Sequence, residues 1–543
     1  MAVEQIYSAI VASPGLVHGP LFIDQVSHAV QEAEASPEDA LERLTAAAET
    51  AKQQLESLVA ESDEDAQEIL EFQVELLGDP ELIAPAREAI SAGAAAATAW
   101  RKAVGGLIED YESDDDDYFR ARATDLKDLR DRVLRVLAGG DEEAPQAADG
   151  IYVAEDLAPS RFLEIDWGRF KGAALTGGST AGHVAILARA RGVPMLIGLE
   201  APLAALGEGS DAVLDAEDGR LVVAPAPSHL DDYRARIARR EATLAAERAL
   251  LPEPAVTAAG ERIQLMVNID DPAVLDVIDP AHCDGIGLAR TELQFYGLIE
   301  RTGALPDEET QYRLYSRLAK WAGGRPVTIR TLDAGADKPI PGLTREGETN
   351  PFLGIRGLRL SLAQPEVFKV QLRALARAAT EGELKVMFPM VTAPWEFDAA
   401  CELFDDAVSE LRIEGISAAT PALGMMVEVP AAALGIAHFD ADFFSIGSND
   451  LIQYVTAVNR EEKRLVQLFD PLDPGVLELI ARVADHGRQE NKEVSLCGDM
   501  ASDPRCMPAL LQAGLRSLSV APAALGRAKA AIASWGASWD GEG

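Results

Sequence analysis

The chain has 543 residues, 48% of them hydrophobic, so it is long enough and apolar enough to build several large cores. At about 150 residues per domain, this length predicts three or four domains. The 89 acidic and 49 basic residues give a net charge of −40, which excludes nucleic acid and anionic membrane surfaces as partners and favours a basic protein partner. A surface adapted to solubility, or to salty surroundings, explains the same charge equally well.

Cysteine usage and the N-terminal sequence bear on the compartment. The four cysteines have no CxxC spacing and are too few to cross-link a chain of this length, which indicates a reducing cytoplasm. The N-terminal sequence MAVEQIYSAI has no basic leader, and no apolar run reaches the roughly 20 residues that a membrane helix needs. We therefore expect a cytoplasmic protein without membrane insertion.

The first 140 residues change from a strand-like opening, SAIVASPGLVHGPLFI, to a long helical region. Residues 36–39, Ser-Pro-Glu-Asp, are a helix-start signal, and the sequence after them is rich in Ala, Glu, Leu and Gln. Helical spacing is kept by Leu126, Leu129, Val133 and Leu137. Within this region the acidic run ESDDDD at 112–117 predicts a solvated connection between two helices.

From Gly150 the pattern changes to strand, turn and helix. The segments GIYVAED, GAALTGG and AVLDAEDGRLVVAP predict strands, and Asp218-Gly219 in the last of them predicts a hairpin. These segments indicate a small α/β domain. Residues 230–250 predict a charged helical linker, which the prolines of LPEPA close.

The remaining sequence alternates short β-rich runs with helical segments. Eight such runs can be identified: IQLMVN, GIGLAR, VTIR, LKVMFP, ALGMMVEV, FFSIGS, EVSLCG and SLSV. This alternation predicts an eight-stranded β/α barrel, whose active site lies at the C-terminal ends of its strands.

Polar residues gather where these runs end: Arg290, Arg330, Glu428, Asn449, Asp450 and Cys497. Arginine forks suit phosphate and carboxylate oxygens, and two carboxylates beside an amide suit a hard cation such as Mg2+, so a small phosphorylated acid fits as substrate. The alternative for each arginine alone is a pair with a surface acid, which the shared placement at strand ends disfavours. Cys497 lies at the predicted rim and is a candidate for proton transfer, whereas Cys283, Cys401 and Cys506 are interpreted as small apolar residues of the core.

One histidine, His183, lies between a glycine-rich turn and an apolar run in GGSTAGHVAILARARGVPMLIG. A neutral imidazole is nucleophilic near physiological pH and can accept and pass on a phosphoryl group. A core or helix-capping histidine explains the position equally well from these residues alone. The same structural interpretation holds for the other histidines, His18, His28, His229, His282, His438 and His486.

Several longer motifs resemble a known family over essentially the whole chain. They are GLARTELQFY, TIRTLDAGADK, NPFLGIRGLR, MVEVPAA, FFSIGSNDLIQYVTAVNR and LCGDMA, preceded by the helical region and the His183 segment. Together they resemble enzyme I of the phosphoenolpyruvate:sugar phosphotransferase system. The resemblance implies transfer of the phosphoryl group of phosphoenolpyruvate to His183 and then to a histidine of the carrier protein HPr, with release of pyruvate.

The resemblance also implies an architecture. It is a multidomain α/β protein in which a helical HPr-binding domain, residues 31–144, is inserted in a swivelling α/β phosphohistidine domain, residues 1–30 and 145–228. A helical linker, 229–253, and a phosphoenolpyruvate-binding (β/α)8 TIM barrel, 254–543, follow. The barrel is expected to form a homodimer, and hinges are expected near residues 140–150 and after Ala224.

Site residues follow from the matching motifs. The resemblance implies a phosphoenolpyruvate clamp of Arg290, Arg330, Arg356, Arg460 and Asn449. It implies Mg2+ ligands at Glu428 and Asp450, protonation of the enolate by Cys497, and a matching lysine at Lys338. Four positions depart from the family pattern: Ala181 and Gly182 stand where a threonine and a serine are usual, Asp499 replaces a glutamate and Asp473 a histidine.

Two further functions stay open. A phosphoenolpyruvate synthase or pyruvate phosphate dikinase shares the phosphohistidine and barrel modules, but needs a nucleotide-binding domain for which no Gly-rich phosphate loop precedes residue 150. A degenerate relative acting as a regulatory binding protein would explain Ala181 and Gly182, whereas the intact barrel motifs argue against it.

Overall fold

A computed structural model of the chain describes residues 4–24, 36–61, 64–112, 117–139, 150–180, 182–336, 340, 342–344, 347–460 and 462–536. The chain divides into two compact units, Met1–Ala242 and Thr243–Gly543. Residues 113–116 of the acidic run, Ala181 and Lys338 lie outside the described residues, so the expectations at these positions stay predictions.

The helical region of the first unit forms five helices in the described residues: α1 Pro37–Glu61, α2 Glu64–Gly78, α3 Pro80–Ser91, α4 Ala96–Glu112 and α5 Asp117–Leu137. The helix-start signal is confirmed, because the Ser36 hydroxyl accepts a hydrogen bond from the backbone N–H of Asp39 at 3.2 Å. The periodic apolar residues form one core, in which Leu44, Trp100 and Leu129 are fully buried. This core holds the helices together.

The first unit also contains an eight-stranded sheet, whose strands come from the sequence before and after the helical region. Its strands are β1 Gln5–Ser8, β2 Ile10–Ser13, β3 Leu16–Ile23, β4 Gly150–Ala154, β5 Phe170–Leu175, β6 Met195–Ile197, β7 Asp211–Asp215 and β8 Arg220–Val223, with helices α6 Pro159–Glu164 and α7 His183–Arg191. The strand order is β1-β8-β7-β3-β4-β5-β6-β2. The β3, β4, β5 and β6 strands run parallel, and β7 and β8 pair antiparallel as the hairpin that Asp218-Gly219 predicts.

The hairpin requires its glycine. Gly219 has φ +69°, and a Cβ there would lie 2.6 Å from the carbonyl oxygen of Ala9. The charged linker forms helix α8, Pro227–Leu250, which begins three residues before the predicted start. It buries none of its residues, as its charge pattern predicts.

The second unit is a closed parallel barrel, and all eight predicted runs form its strands. They are β9 Gln264–Ile269, β10 Ile286–Ala289, β11 Val327–Arg330, β12 Leu384–Phe388, β13 Ala422–Val427, β14 Phe443–Gly447, β15 Glu493–Cys497 and β16 Ser517–Val520. They follow one another in chain order, and β16 closes on β9 with Leu518 opposite Leu265. The prediction of an eight-stranded barrel is confirmed.

The helices around the barrel pack their apolar faces on its strands. They are α9 Glu292–Thr302, α10 Glu308–Ala322, α11 Leu358–Ala363, α12 Pro365–Ala378, α13 Pro394–Ile413, α14 Pro430–Leu434, α15 Ser448–Thr456, α16 Pro474–Glu490, α17 Asp499–Ser502, α18 Met507–Gln512 and α19 Leu525–Ser534. Tyr315, Leu372, Phe404 and Ile480 from four of these helices belong to one core with Ile329 and Phe444 of the strands. This core fixes the strand ends, where the polar residues gather.

Candidate active site

The C-terminal ends of the barrel strands carry the polar residues that the sequence places there. Arg290 directly follows β10, Arg330 closes β11, Glu428 directly follows β13 and Cys497 closes β15. The first turn of α15, directly after β14, contributes Asn449 and Asp450. Because all strands are parallel, these side chains belong to the same rim of the barrel.

Two arginines of this rim are buried and share one carboxylate. Arg330 pairs with Glu292 and lies 3.2 Å from Asp333, while Arg356 donates to the same Asp333 oxygen at 2.9 Å. Burial works against a charged guanidinium, but Glu292 and Asp333 outweigh it and raise the pKa of Arg330. The pKa of Arg356 is raised against burial by Asp333 and Asp450 in the same way. Both arginines are therefore fixed, permanent cations.

The two carboxylates that were predicted to bind metal lie close to these arginines. Both oxygens of Asp450 accept from Arg356, at 3.2 and 3.3 Å. The Glu428 carboxylate accepts from the backbone N–H of Met390 at 2.6 Å, and Gly447 leaves room for it because a Cβ there would lie 2.8 Å from its Oε2. Burial, then Asp450 and Asp333, raise the pKa of Glu428 to about 8. A cation bound at Glu428 and Asp450 would displace the Glu428 proton and stabilise the ionised carboxylate.

The remaining predicted ligands occupy different surroundings. Arg290 donates to Asp270 at 3.1 Å, and among the described residues its buried Nε has no hydrogen-bond partner, nor has the buried Nε of Arg330. Such donors suit an anionic ligand. The Arg460 guanidinium lies 4.0 Å from Asp450, and its carbon lies 5.8 Å from the ring centre of Phe352. Asn449 exchanges two hydrogen bonds with Asp499, at 3.2 and 3.0 Å.

Cys497 lies among these charges as a buried thiol. It is 2% exposed, contacts the Ser445 hydroxyl at 3.7 Å and donates to the carbonyl oxygen of Ile446 at 3.6 Å. Burial raises the pKa of the thiol, and the Ser445 hydrogen bond and Arg290 offset only part of this. A protonated thiol suits an acid rather than a nucleophile. Of the other cysteines, Cys283 and Cys506 are buried and Cys401 is partly buried, and all are free thiols.

His183 is the first residue of helix α7, and its side chain is 25% exposed. Its Nδ1 lies 3.2 Å from the Oδ1 of Asp125, a fully buried carboxylate of α5. The N-cap of α7 is Gly182, which makes no side-chain capping bond. The nearby Thr180 carbonyl accepts from Arg189 at 3.1 Å. The hydrogen-bond partner that the structure gives the imidazole is therefore Asp125, which lies 58 residues earlier in the sequence.

Asp125 is one of several important residues that the sequence analysis missed. Asp333 and Glu292 in the barrel are the others, and a second polar cluster lies one turn further along α5. There Asp128 accepts from the Ser160 hydroxyl at 2.7 Å, and Arg132 donates to the same hydroxyl at 2.9 Å and pairs with Glu164. In a chain with 89 acidic residues, no local signal distinguishes these carboxylates from surface acids.

Comparison with family profiles identifies the class of protein. The profile described as PEP-utilising enzyme, PEP-binding domain, matches residues 245–536, which is more than half of the chain. The N-terminal profile of PEP-utilising enzymes matches residues 8–122, and their mobile-domain profile matches 147–219. The fold and the rim of the barrel therefore belong to a phosphoenolpyruvate-utilising enzyme.

Curated relatives narrow this class. A phosphoenolpyruvate-protein phosphotransferase from Geobacillus stearothermophilus is 36% identical over 92% of this chain and 87% of its own. The Bacillus subtilis (strain 168) protein of the same name is 34% identical over 86% of this chain and 83% of its own. The chain belongs to the family of phosphoenolpyruvate-protein phosphotransferases, which confirms the resemblance to enzyme I and the prediction of a transferase.

A solved structure is similar over the N-terminal part. The NMR solution structure of Enzyme I (nEIt) is 25% identical, covers 43% of this chain and 99% of its own, and has a TM-score of 0.37. No helix in the described part of the chain combines the length and apolarity that crossing a membrane requires.

Proposed function

We propose that this enzyme transfers the phosphoryl group of phosphoenolpyruvate to His183 and then to a histidine of HPr or an HPr-like carrier, releasing pyruvate. The observation that carries the proposal is the rim of the barrel, where buried arginines meet the carboxylates of Glu428 and Asp450 beside a protonated thiol. In this proposal Arg290, Arg330, Arg356, Arg460 and Asn449 bind the substrate.

The arginines suit a substrate with a phosphate and a carboxylate. Arg330 and Arg356 are held rigidly by their carboxylate partners, so their remaining donors are preorganised for anionic oxygens. The Nε atoms of Arg290 and Arg330, which have no partner in the described part of the chain, are buried donors that such oxygens would satisfy. Positioning and charge stabilisation are the main means by which proteins catalyse phosphoryl transfer.

Glu428 and Asp450 fit Mg2+. Among the described residues, no group of three or more His, Cys, Asp or Glu side chains is placed to hold a metal ion. Two carboxylates are nevertheless what Mg2+ takes from proteins when substrate oxygens and waters complete its shell. When bound, Mg2+ neutralises charge on the phosphoryl oxygens and on the enolate.

Cys497 completes the release of pyruvate. As the bond between the phosphorus and the enol oxygen breaks, a nitrogen–phosphorus bond forms at His183 and the enolate of pyruvate is left behind. The Cys497 thiol gives its proton to the methylene carbon, which produces the methyl group of pyruvate and a thiolate. The raised pKa keeps this proton available at neutral pH.

The contact with Asp125 supports Nε2 as the nucleophilic atom of His183. An imidazole that donates its Nδ1 proton to a carboxylate carries the lone pair on Nε2. The buried carboxylate also stabilises positive charge that develops on the ring during attack. We therefore place the phosphoryl group on Nε2, which must come within bonding distance of phosphorus for transfer.

The assignment of a separate function to each domain also remains a proposal. Residues 1–30 and 145–228 would form the phosphohistidine domain, 31–144 the carrier-binding domain, 229–253 the linker and 254–543 the phosphoenolpyruvate-binding domain. The assembly of two chains through the barrel and a cytoplasmic location likewise stay predictions.

Incubation with phosphoenolpyruvate, Mg2+ and a carrier tests the function directly. We expect pyruvate release and an acid-labile adduct at His183, with His183→Ala abolishing the adduct. An undiminished adduct in that variant would refute the assignment of His183. A regulatory binding protein would bind phosphoenolpyruvate without forming an adduct, and a synthase or dikinase would require a nucleotide.

A further inference from the structure

The Asp333 carboxylate lies between the two buried arginines of the barrel rim. It is fully buried, and its Oδ2 lies 2.9 Å from Arg356 and 3.2 Å from Arg330. The Arg356 Nε also donates to its other oxygen at 3.4 Å. Two guanidinium groups that converge on one substrate repel each other, and a carboxylate between them removes that repulsion and fixes their spacing.

The backbone around Asp333 is built for this close approach. Gly357 has φ +56°, and a Cβ there would lie 3.0 Å from Asp333 Oδ1. Gly335 has φ +110°, and its Cβ would lie 2.7 Å from the Arg356 Cβ. Side chains at either position would separate the loop after β11 from the segment that carries Arg356. The ion pair between Asp333 and Arg356 therefore depends on glycine at positions 335 and 357.

Arg356 has a second carboxylate partner, and that partner is a proposed metal ligand. Both Asp450 oxygens accept from Arg356. A cation at Asp450 would compete with Arg356 for these same oxygens, because an oxygen coordinating a cation is a poorer acceptor for a cationic donor. Among the described residues, binding of the metal would therefore loosen one of the two carboxylate attachments of Arg356 and leave the bond to Asp333 in place.

We propose that Asp333 is a positioning residue. It keeps the Arg356 guanidinium at a fixed distance from Arg330 while the Asp450 carboxylate releases Arg356 and binds the metal. This inference rests on the proposed function, since it assigns Asp450 to the metal and both arginines to the substrate. In this proposal Asp333 acts through the arginines, with which its carboxylate pairs, rather than as a ligand of metal or substrate. Its carboxylate still holds Arg356 once Asp450 has turned away, together with the Tyr454 hydroxyl, which accepts from Arg356 at 3.5 Å.

The Asp333→Asn variant separates this role from a general structural one. Asparagine keeps the shape of the side chain but removes its charge, so Arg356 is left with Asp450 as its carboxylate partner. Arg356 then holds Asp450 more tightly against the metal and is less well placed for the substrate. We expect Mn2+ binding without substrate to weaken about fivefold and phosphoenolpyruvate binding about tenfold.

Glu292→Gln is the matched control. It also removes a buried negative charge from the arginine cluster, but at the carboxylate that pairs with Arg330 rather than with Arg356. We expect it to weaken phosphoenolpyruvate binding while leaving Mn2+ affinity within about twofold of the wild type. Asp333→Glu, which restores the charge, should recover part of the Mn2+ affinity.

Mn2+ affinity is measured on the full chain by electron paramagnetic resonance of the free ion, without substrate or turnover. Phosphoenolpyruvate affinity is measured by its protection against thermal unfolding, and the unfolding temperature of each variant without ligand reports whether it is folded. Unchanged Mn2+ affinity in folded Asp333→Asn would overturn the proposal, as would equal losses in Asp333→Asn and Glu292→Gln. If the wild type itself bound no phosphoenolpyruvate, the proposed function would fail instead.

Discussion

For His183, the decisive contact is the one with Asp125. The sequence departs from the family pattern at Ala181 and Gly182, where a hydroxyl that could orient the imidazole is usual. A buried carboxylate at 3.2 Å provides an orienting group of a different kind, and it also stabilises an imidazolium. Without that hydroxyl, the proposed nucleophile His183 therefore still has a polar partner.

Replacing Asp125 should slow the phosphorylation of His183. In Asp125→Asn the acceptor for the Nδ1 proton loses its charge, so the ring is less firmly held in the tautomer that leaves Nε2 free. We expect phosphorylation to slow by at least about tenfold, and nitrogen NMR of the imidazole to show a mixture of tautomers. Asp128→Asn, in the same helix but bonded to Ser160, should leave the tautomer unchanged. A wild-type rate in Asp125→Asn would remove Asp125 from the mechanism.

The pH dependence of the first half-reaction should reflect the buried thiol. The pKa of Cys497 is raised above the ordinary value of 9.0, and an acid with a raised pKa keeps its proton to higher pH. Pyruvate formation should therefore stay level between about pH 7 and 8 as far as this group is concerned. Cys497→Ala should bind Mn2+ and phosphoenolpyruvate normally but turn over about 100-fold more slowly. A coupled assay for pyruvate measures the pH profile and the turnover rate. A decline of the wild-type rate near pH 8 that Cys497→Ala lacks would contradict the assignment.

At the scale of elements, the eight barrel strands were predictable and the carboxylate partners were not. A strand such as FFSIGS can be recognised from its own β-branched and aromatic residues, and the alternation of eight such strands with helical segments indicates the barrel. Asp333 pairs with Arg330 and also with Arg356, and Arg356 lies 23 residues after Asp333 in the chain. Its role therefore depends on a contact in space that the local sequence does not show. The same holds for Asp125 and His183, so the clamp was predicted from motifs but its counter-ions required the structure.

A helix terminus shows how one departure from the family pattern is accommodated. Asp473 stands where a histidine is common, and in the structure it is the N-cap of α16, accepting from the backbone N–H groups of Gly475 and Val476 at 2.8 and 3.3 Å. Asp473→Ala should lower the free energy of unfolding by about 1 kcal/mol, whereas Asp473→Asn should retain most of it. Denaturant unfolding followed by circular dichroism measures the difference, and equal losses in both variants would show that the cap is not the cause.

At the scale of the whole molecule, the chain contains two units with separate cores. The first unit contains the helical core, with Leu44 and Trp100, and the sheet around His183. The second contains the barrel core and all of the proposed substrate and metal ligands. The proposed acceptor histidine and the proposed substrate site therefore lie on different units of one chain. This division predicts which half-reaction each unit can perform alone.

A fragment of residues 1–242 should retain only the second half-reaction. It keeps His183, Asp125 and the acidic helical region, so we expect it to exchange phosphoryl groups with a phosphorylated HPr-like carrier. It lacks the barrel, so phosphoenolpyruvate and Mg2+ should leave it unlabelled, and the full chain is the positive control. Because the whole chain carries a net charge of −40, association with a basic carrier should also weaken as salt screens the attraction. Labelled phosphoenolpyruvate and labelled carrier, each offered separately, measure the two reactions. Labelling of a folded fragment by phosphoenolpyruvate would show that the barrel is not the substrate site, and failure to exchange with the carrier would show that the first unit does not suffice for the second transfer.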